Sequence, residues 1–254
     1  GIHGAEYLNP PAVMQAIEYY LRNYDTPVYK GRTVGEILAD TDLYIIPMLN
    51  PDGIAISQFG PDGLNDPAMA ARVRGIYAYW ADGGELTMDE ETYYRVWKAN
   101  ANGVDLNRNY LFETTRLVYD TGVYRPAESE FAGKRAVPEA ETAAYKTLVN
   151  GLSDPIAAIS IHSQGNLIYW NGLQSEEGKA AARALALTIA GITGYRLPTE
   201  NSFVGASADW AMIEKGIPAV TVETGGGAHN PLPAKDLPGI AARLRDVFLA
   251  VAYE

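Results

Sequence analysis

The second half of the chain alternates short β-branched runs with longer amphipathic ones, and that alternation leaves few folds open. Residues 156–161 and 167–170 are short apolar runs, and residues 217–222 are β-branched. Between and after them, residues 175–192, 207–215 and 237–252 carry apolar side chains at helical spacing, the second stopped by Gly216. Strands separated by helices predict an α/β fold with a largely parallel sheet, because a helical crossover is what joins parallel neighbours. Upstream, Pro10 and Pro11 precede Val13, Ile17 and Leu21, which predicts a helix over 11–23. Residues 43–49 form an apolar run broken by Pro47 and followed by Asn50-Pro51-Asp52-Gly53, which predicts a buried strand entering a tight turn. From there to residue 102 periodicity is weak, so this stretch reads as a functional loop region, whereas 139–149 returns to helical spacing. Nothing repeats and no linker divides the chain, so residues 1–254 are expected to form one domain.

Charge and composition narrow the function. Lys plus Arg number 20 against 31 Asp plus Glu, a net charge of −11. Nucleic-acid backbones and anionic membrane surfaces repel such a balance, so neither is an expected partner. Cysteine is absent, which excludes disulfides, thiolate metal sites and cysteine nucleophiles. The most apolar long stretch, 180–192, is too short to span a bilayer and contains Arg183, so membrane insertion is not expected. The opening Gly1-Ile2-His3 has no signal-peptide character, which leaves the compartment open.

Three segments hold residues able to do chemistry. In His3-Gly4-Ala5-Glu6 the histidine and the carboxylate are three apart, so both reach one point at a turn or helix start. His162 follows an apolar strand, and the C-terminal ends of strands are where open α/β sheets place their sites. Two histidines and one glutamate make a catalytic type of zinc site, although each element alone also fits a polar turn or a structural histidine. Glu223 closes the second apolar strand, suiting it either to general-base work or to capping the glycine-rich loop behind it. In Asp105-Leu106-Asn107-Arg108-Asn109 the guanidinium of Arg108 offers a planar fork for a carboxylate, with Asn107 adding donors. Arg95 and Lys98 flank Trp97 shortly upstream.

In this order the segments resemble the zinc metallocarboxypeptidases of the carboxypeptidase A-like family. His3-Gly4-Ala5-Glu6 looks like the ligand motif, Asn50-Pro51-Asp52-Gly53 like the turn after it, and Asp105 to Asn109 like the carboxylate anchor. Ser160-Ile161-His162-Ser163 resembles the last ligand segment, Ser207-Ala208-Asp209-Trp210 the helix beside the specificity pocket, and Thr221-Val222-Glu223 the general-base strand. The resemblance implies an α/β/α sandwich with a mixed, largely parallel sheet, here without the N-terminal strands that usually precede the first ligand. It implies one Zn2+ on His3, Glu6 and His162, Glu223 as general base, and Lys98 polarising the scissile carbonyl with Arg95 nearby. It further implies Asn107 and Arg108 holding a substrate carboxylate, and Asp105 orienting His3. Trp97-Lys98-Ala99-Asn100, Gly103 to Asn107, His162-Ser163-Gln164-Gly165 and Asn230-Pro231-Leu232-Pro233 are closer to bacterial enzymes that cut the γ-D-glutamyl–diaminopimelate bond of peptidoglycan, whether in the cell envelope or the cytoplasm. The expected substrate is therefore a peptide or muropeptide. Glu200-Asn201-Ser202-Phe203 lacks the tyrosine of the digestive members, and Ala208 supplies no charge at the position that sets side-chain preference. Alternatives are a carboxypeptidase acting on ordinary peptides, a zinc deacylase, and a binding protein that kept only the fold.

Overall fold

The computed structural model of the protein describes residues 1–84, 86–134 and 138–254. After a short 3-10 turn, Gly4–Glu6, comes α1 (Asn9–Arg22) with Pro10 and Pro11 in its first turn. A small antiparallel hairpin of β1 (Pro27–Tyr29) and β2 (Arg32–Thr33) then leads into the one-turn helix α2 (Val34–Ile37). Thr33 and Glu36 start that helix with a reciprocal capping box.

Residues 43–49 are not the buried strand that their composition suggests. They are assigned to no sheet, and Tyr44, Ile46 and Met48 are 59%, 39% and 46% exposed. The intervening Ile45 and Leu49 pack against the main core, so inward and outward side chains alternate over part of a segment that pairs with no strand among the described residues. The following Asn50-Pro51-Asp52-Gly53 opens a helix instead of a turn: Asn50 accepts a hydrogen bond from Gly53 N at 2.9 Å and caps α3 (Pro51–Phe59).

The stretch read as a loop region is also corrected. It holds α4 (Pro67–Asp82) and α5 (Glu90–Arg95), each begun by an aspartate, Asp66 and Asp89, that accepts a backbone N–H of the first turn. Ile56, Val73, Ile76, Tyr93, Tyr94 and Trp97 bury themselves together as a second core beneath these helices.

The rest follows the expected alternation with small shifts: α6 (Ala140–Gly151), β3 (Ala158–Ser163), β4 (Leu167–Tyr169), α7 (Glu176–Thr193), α8 (Ser207–Lys215) and β5 (Ala219–Thr224). The last helical stretch is two helices, α9 (Leu237–Leu244) and α10 (Val247–Tyr253). They part where Asp246 adopts ψ −1° and the Tyr20 hydroxyl takes the Arg245 carbonyl as acceptor.

The main sheet is mixed, in the order β3-β5-β4. β3 and β5 are parallel, with His162 opposite Glu223, and β4 runs antiparallel on the other edge of β5. Successive side chains of β5 face opposite ways. Thr224 donates to Asn9 of α1 on one side, whereas Thr221 and Glu223 line a cavity with Ala208 and Met212 of α8 on the other. Helices thus cover both faces, the α/β/α layering expected. No helix among the described residues is long and apolar enough to cross a membrane.

Candidate metal and peptide site

Both β3 and β5 run two residues further than their apolar runs suggest, so His162 and Glu223 are the penultimate residues of paired strands. The ladder fixes their spacing. His3 and Glu6 reach the same place from the 3-10 turn, where side chains three apart eclipse one another. Gly4 lets that turn lie directly on backbone: a Cβ there would stand 2.2 Å from Gly53 O and 2.6 Å from Trp97 O. Buried Asn50 ties the parts together, donating to Ile2 O and Ala99 O at 3.0 Å each while capping α3. Gly4 N in turn donates to Lys98 O, which sets the Lys98 backbone against the turn.

One ligand atom from each of His3, Glu6 and His162 lies within 4.8 Å of the others, and all three residues are buried. The Glu6 carboxylate sits between the imidazoles, Oε1 at 2.7 Å from His3 Nδ1 and Oε2 at 3.0 Å from His162 Nδ1. Each ring turns its other nitrogen to an oxygen: His3 Nε2 to Asp105 Oδ1 and His162 Nε2 to Ser160 Oγ, both at 3.1 Å. Two imidazoles and one carboxylate, with each ring backed by an outer oxygen, are what a zinc site with an open position requires. Asp105 stands where the sequence placed it. Ser160 was missed as a partner, although its two-residue spacing from His162 on a strand puts both side chains on one face.

Electrostatics agree with a cation-binding pocket. Burial opposes charge on all three ligands, but Glu6 and Asp105 outweigh it at His3 and push its pKa up to about 9. His3 and His162 hold the Glu6 carboxyl well below its usual range despite burial, and burial lowers His162. Burial pushes Glu223 up to about 8, reinforced by Glu6 and opposed by His3, Lys98 and Arg108. A carboxylate so destabilised is poised to exchange a proton, and a cation beside it would favour its charged form.

A cavity of about 870 Å³ is lined by His3, Glu6, Arg95, Lys98, Asn107, Arg108, His162, Ala208 and Glu223. The three candidate ligands, Glu223, Arg95, Lys98, Asn107, Arg108 and Ala208 therefore line one space, and Asp105 lies directly behind His3. Arg108 and Asn107 sit on a 3-10 turn, Leu106–Arg108, whose first N–H groups are held by Asp105: its Oδ1 accepts from Asn107 N at 3.0 Å. Asn107 Oδ1 accepts from Ser207 N, joining the anchor to the start of α8. Ala208 is buried at the cavity wall, and Met212 lies one helical turn further on.

The chain is 27% identical over 253 residues to gamma-D-glutamyl-L-diamino acid endopeptidase 1 of Lysinibacillus sphaericus, a match covering 99% of this chain and 59% of that protein. Among solved structures it resembles thrombin activatable fibrinolysis inhibitor, with a TM-score of 0.67 at 18% identity. It also resembles carboxypeptidase A from Helicoverpa armigera, with a TM-score of 0.62 at 17% identity. Each of these covers 99% of this chain and 59% of the solved one, so the chain spans about three-fifths of the length of these relatives. The fold is thereby that of a carboxypeptidase. The Peptidase_M14 family, described as zinc carboxypeptidase, matches residues 1–245; with its two histidines and one glutamate gathered and backed as zinc requires, the chain belongs to the zinc carboxypeptidase family.

Proposed function

We propose that residues 1–254 form the catalytic unit of a zinc metallopeptidase that cuts a peptide bond next to a carboxylate-bearing residue. The observation that carries this reading is the position of Glu223 directly opposite His162 in a parallel ladder, beside the three-residue ligand cluster and in the same cavity as Arg108. His3, Glu6 and His162 would hold the metal. A zinc ion there supplies Lewis acidity toward water and toward a carbonyl oxygen. Glu223 takes a proton from the attacking water as the C–O bond forms and delivers it to the leaving amine as the C–N bond breaks. Lys98 faces the same space and offsets negative charge developing on the carbonyl oxygen, with Arg95 at the exposed rim. Asn107 and Arg108 fix the substrate carboxylate, and Ala208 leaves room at the wall without selecting for charge.

Within this class we favour γ-D-glutamyl–diaminopimelate peptides of the bacterial cell wall. Support comes from the name of the Lysinibacillus relative and from the stretches around Trp97 and His162. The uncharged wall at Ala208 and Met212 favours a second reading, removal of C-terminal residues from ordinary peptides. Comparing kcat/KM for a γ-D-glutamyl–diaminopimelate peptide and a peptide with a C-terminal aromatic residue separates them: preference for the first is expected, and preference for the second discards the cell-wall substrate. In either case Arg108→Lys should lower kcat/KM by about thirtyfold, because an ammonium cannot reproduce a bidentate grip. An unchanged kcat/KM would remove Arg108 from the site.

A further inference from the structure

Arg108 does not face the cavity as a free side chain. Its Nε donates to Glu130 Oε2 and its Nη2 to Glu130 Oε1, both at 2.9 Å, while Nη1 donates to Asn107 O at 3.0 Å. A guanidinium can grip a carboxylate along its Nε–Nη2 edge or along its Nη1–Nη2 edge. Glu130 occupies the first. Three of the five N–H bonds are committed, and a substrate carboxylate is left one on Nη1 and one on Nη2. The Tyr119 ring lies beside the guanidinium, 5.8 Å from Cζ to ring centroid.

Glu130 is itself held in an uncommon way. Its φ is 64°, in the left-handed region that a residue with a Cβ avoids unless its surroundings enforce it. They do: Glu130 N donates to Asp105 Oδ2 at 3.0 Å, and Asp105 N donates to Phe131 O at 2.8 Å. Two residues earlier, Glu128 O accepts from Lys98 N and Ala99 N. The segment 128–131 is therefore stitched to Lys98, to the aspartate behind His3 and to Arg108, and its single side chain on the guanidinium is Glu130.

Building on the proposed function, we infer that Glu130 is a positioning residue that sets which edge of Arg108 receives the substrate carboxylate. It does so by holding the side-on edge and preventing the fork from rotating. The segment also couples the carboxylate anchor to the ligand turn, since one aspartate carboxylate faces both His3 and Glu130.

The test compares Glu130→Ala and Glu130→Gln in an otherwise intact chain loaded with zinc. Glu130→Ala should raise KM about tenfold on a peptide with a free carboxylate, with kcat changed less than threefold and the amidated peptide affected less than twofold. Glu130→Gln keeps an acceptor for the fork and should recover most of the loss. In an Arg108→Lys background, Glu130→Ala should add less than threefold. A fall in KM for Glu130→Ala would mean that Glu130 competes with substrate, and equal losses on free and amidated peptides would mean a general structural role; either result overturns the inference. Calorimetric binding of an N-acetyl amino acid against its amide, in the same variants, keeps this outcome separate from the peptidase reading. Carboxylate selectivity that depends on Glu130 in a chain that cleaves nothing would sustain the inference and defeat the proposed function.

Discussion

Residues 43–49, with Ile45 and Ile46, and β5, with Val220 and Val222, both read as short strands in the sequence, yet only β5 is one. β5 has β3 on one edge and β4 on the other, and Val220 and Val222 are fully buried. Residues 43–49 keep only part of that alternation, with Tyr44, Ile46, Pro47 and Met48 exposed, and no described strand pairs with them. Residues 43–49 and β3 share the lining of a groove of about 620 Å³, with Ile45, Ile46, Ile159 and Ile161 beside polar Asp42 and Ser160. The difference teaches that pattern makes a run able to pair, while a neighbouring backbone makes it a strand. It also divides the site. His162 and Glu223 come from the completed ladder, whereas His3 and Glu6 hang beside the unpaired run, tied by Asn50 N to Gly1 O and by the Asn50 side chain.

The sharpest test of the ladder half is chemical. Glu223→Gln preserves shape and pairing while removing the base, so turnover should fall roughly a hundredfold or more. The thermal unfolding midpoint should stay within a few degrees of the parent. Retained turnover would take the proton-transfer role away from Glu223.

The other half is best broken at its knot. Asn50→Ala strips buried hydrogen bonds from Gly53 N, Ile2 O and Ala99 O at once, and should cost about 3 kcal/mol in urea unfolding. Zinc affinity should weaken with it, because the ligand turn loses its anchor. A loss below about 1 kcal/mol would mean that the turn is held by something other than Asn50.

The smallest effects contrast the two runs directly. Val222→Ala empties a fully buried position and should cost about 2.5 kcal/mol, whereas Ile46→Ala should cost less than about 1 kcal/mol. Equal losses would show that residues 43–49 are packed as tightly as the central strand.

Much of this was legible in the chain itself. The β-branched runs ending at His162 and Glu223 were visible, and so was the His-x-x-Glu spacing, because these are local patterns with fixed geometric consequences. That residues 43–49 form no strand was not legible, since what decides it is the presence of a partner. The helices α4 and α5 escaped a search for periodicity but announced themselves by caps: Asp66-Pro67 and Asp89 start them, just as Asn50-Pro51 starts α3. Within the site, the residues named from the sequence line the cavity, but Thr92, Met212 and His229 line it too and were not singled out, and those that act behind the lining were found unevenly. Asp105 came from its motif. Ser160 and Glu130 did not, because they meet His162 and Arg108 through strand geometry and through a contact 22 residues distant.

Zinc content measured on equilibrated protein tests the central claim most directly, since it asks whether the two halves meet in one site. The parent chain and Glu223→Gln should each hold about one zinc, and His162→Ala should hold almost none at the same free zinc concentration. A full zinc complement in His162→Ala would contradict the account, because the ligand from the completed ladder would then be dispensable.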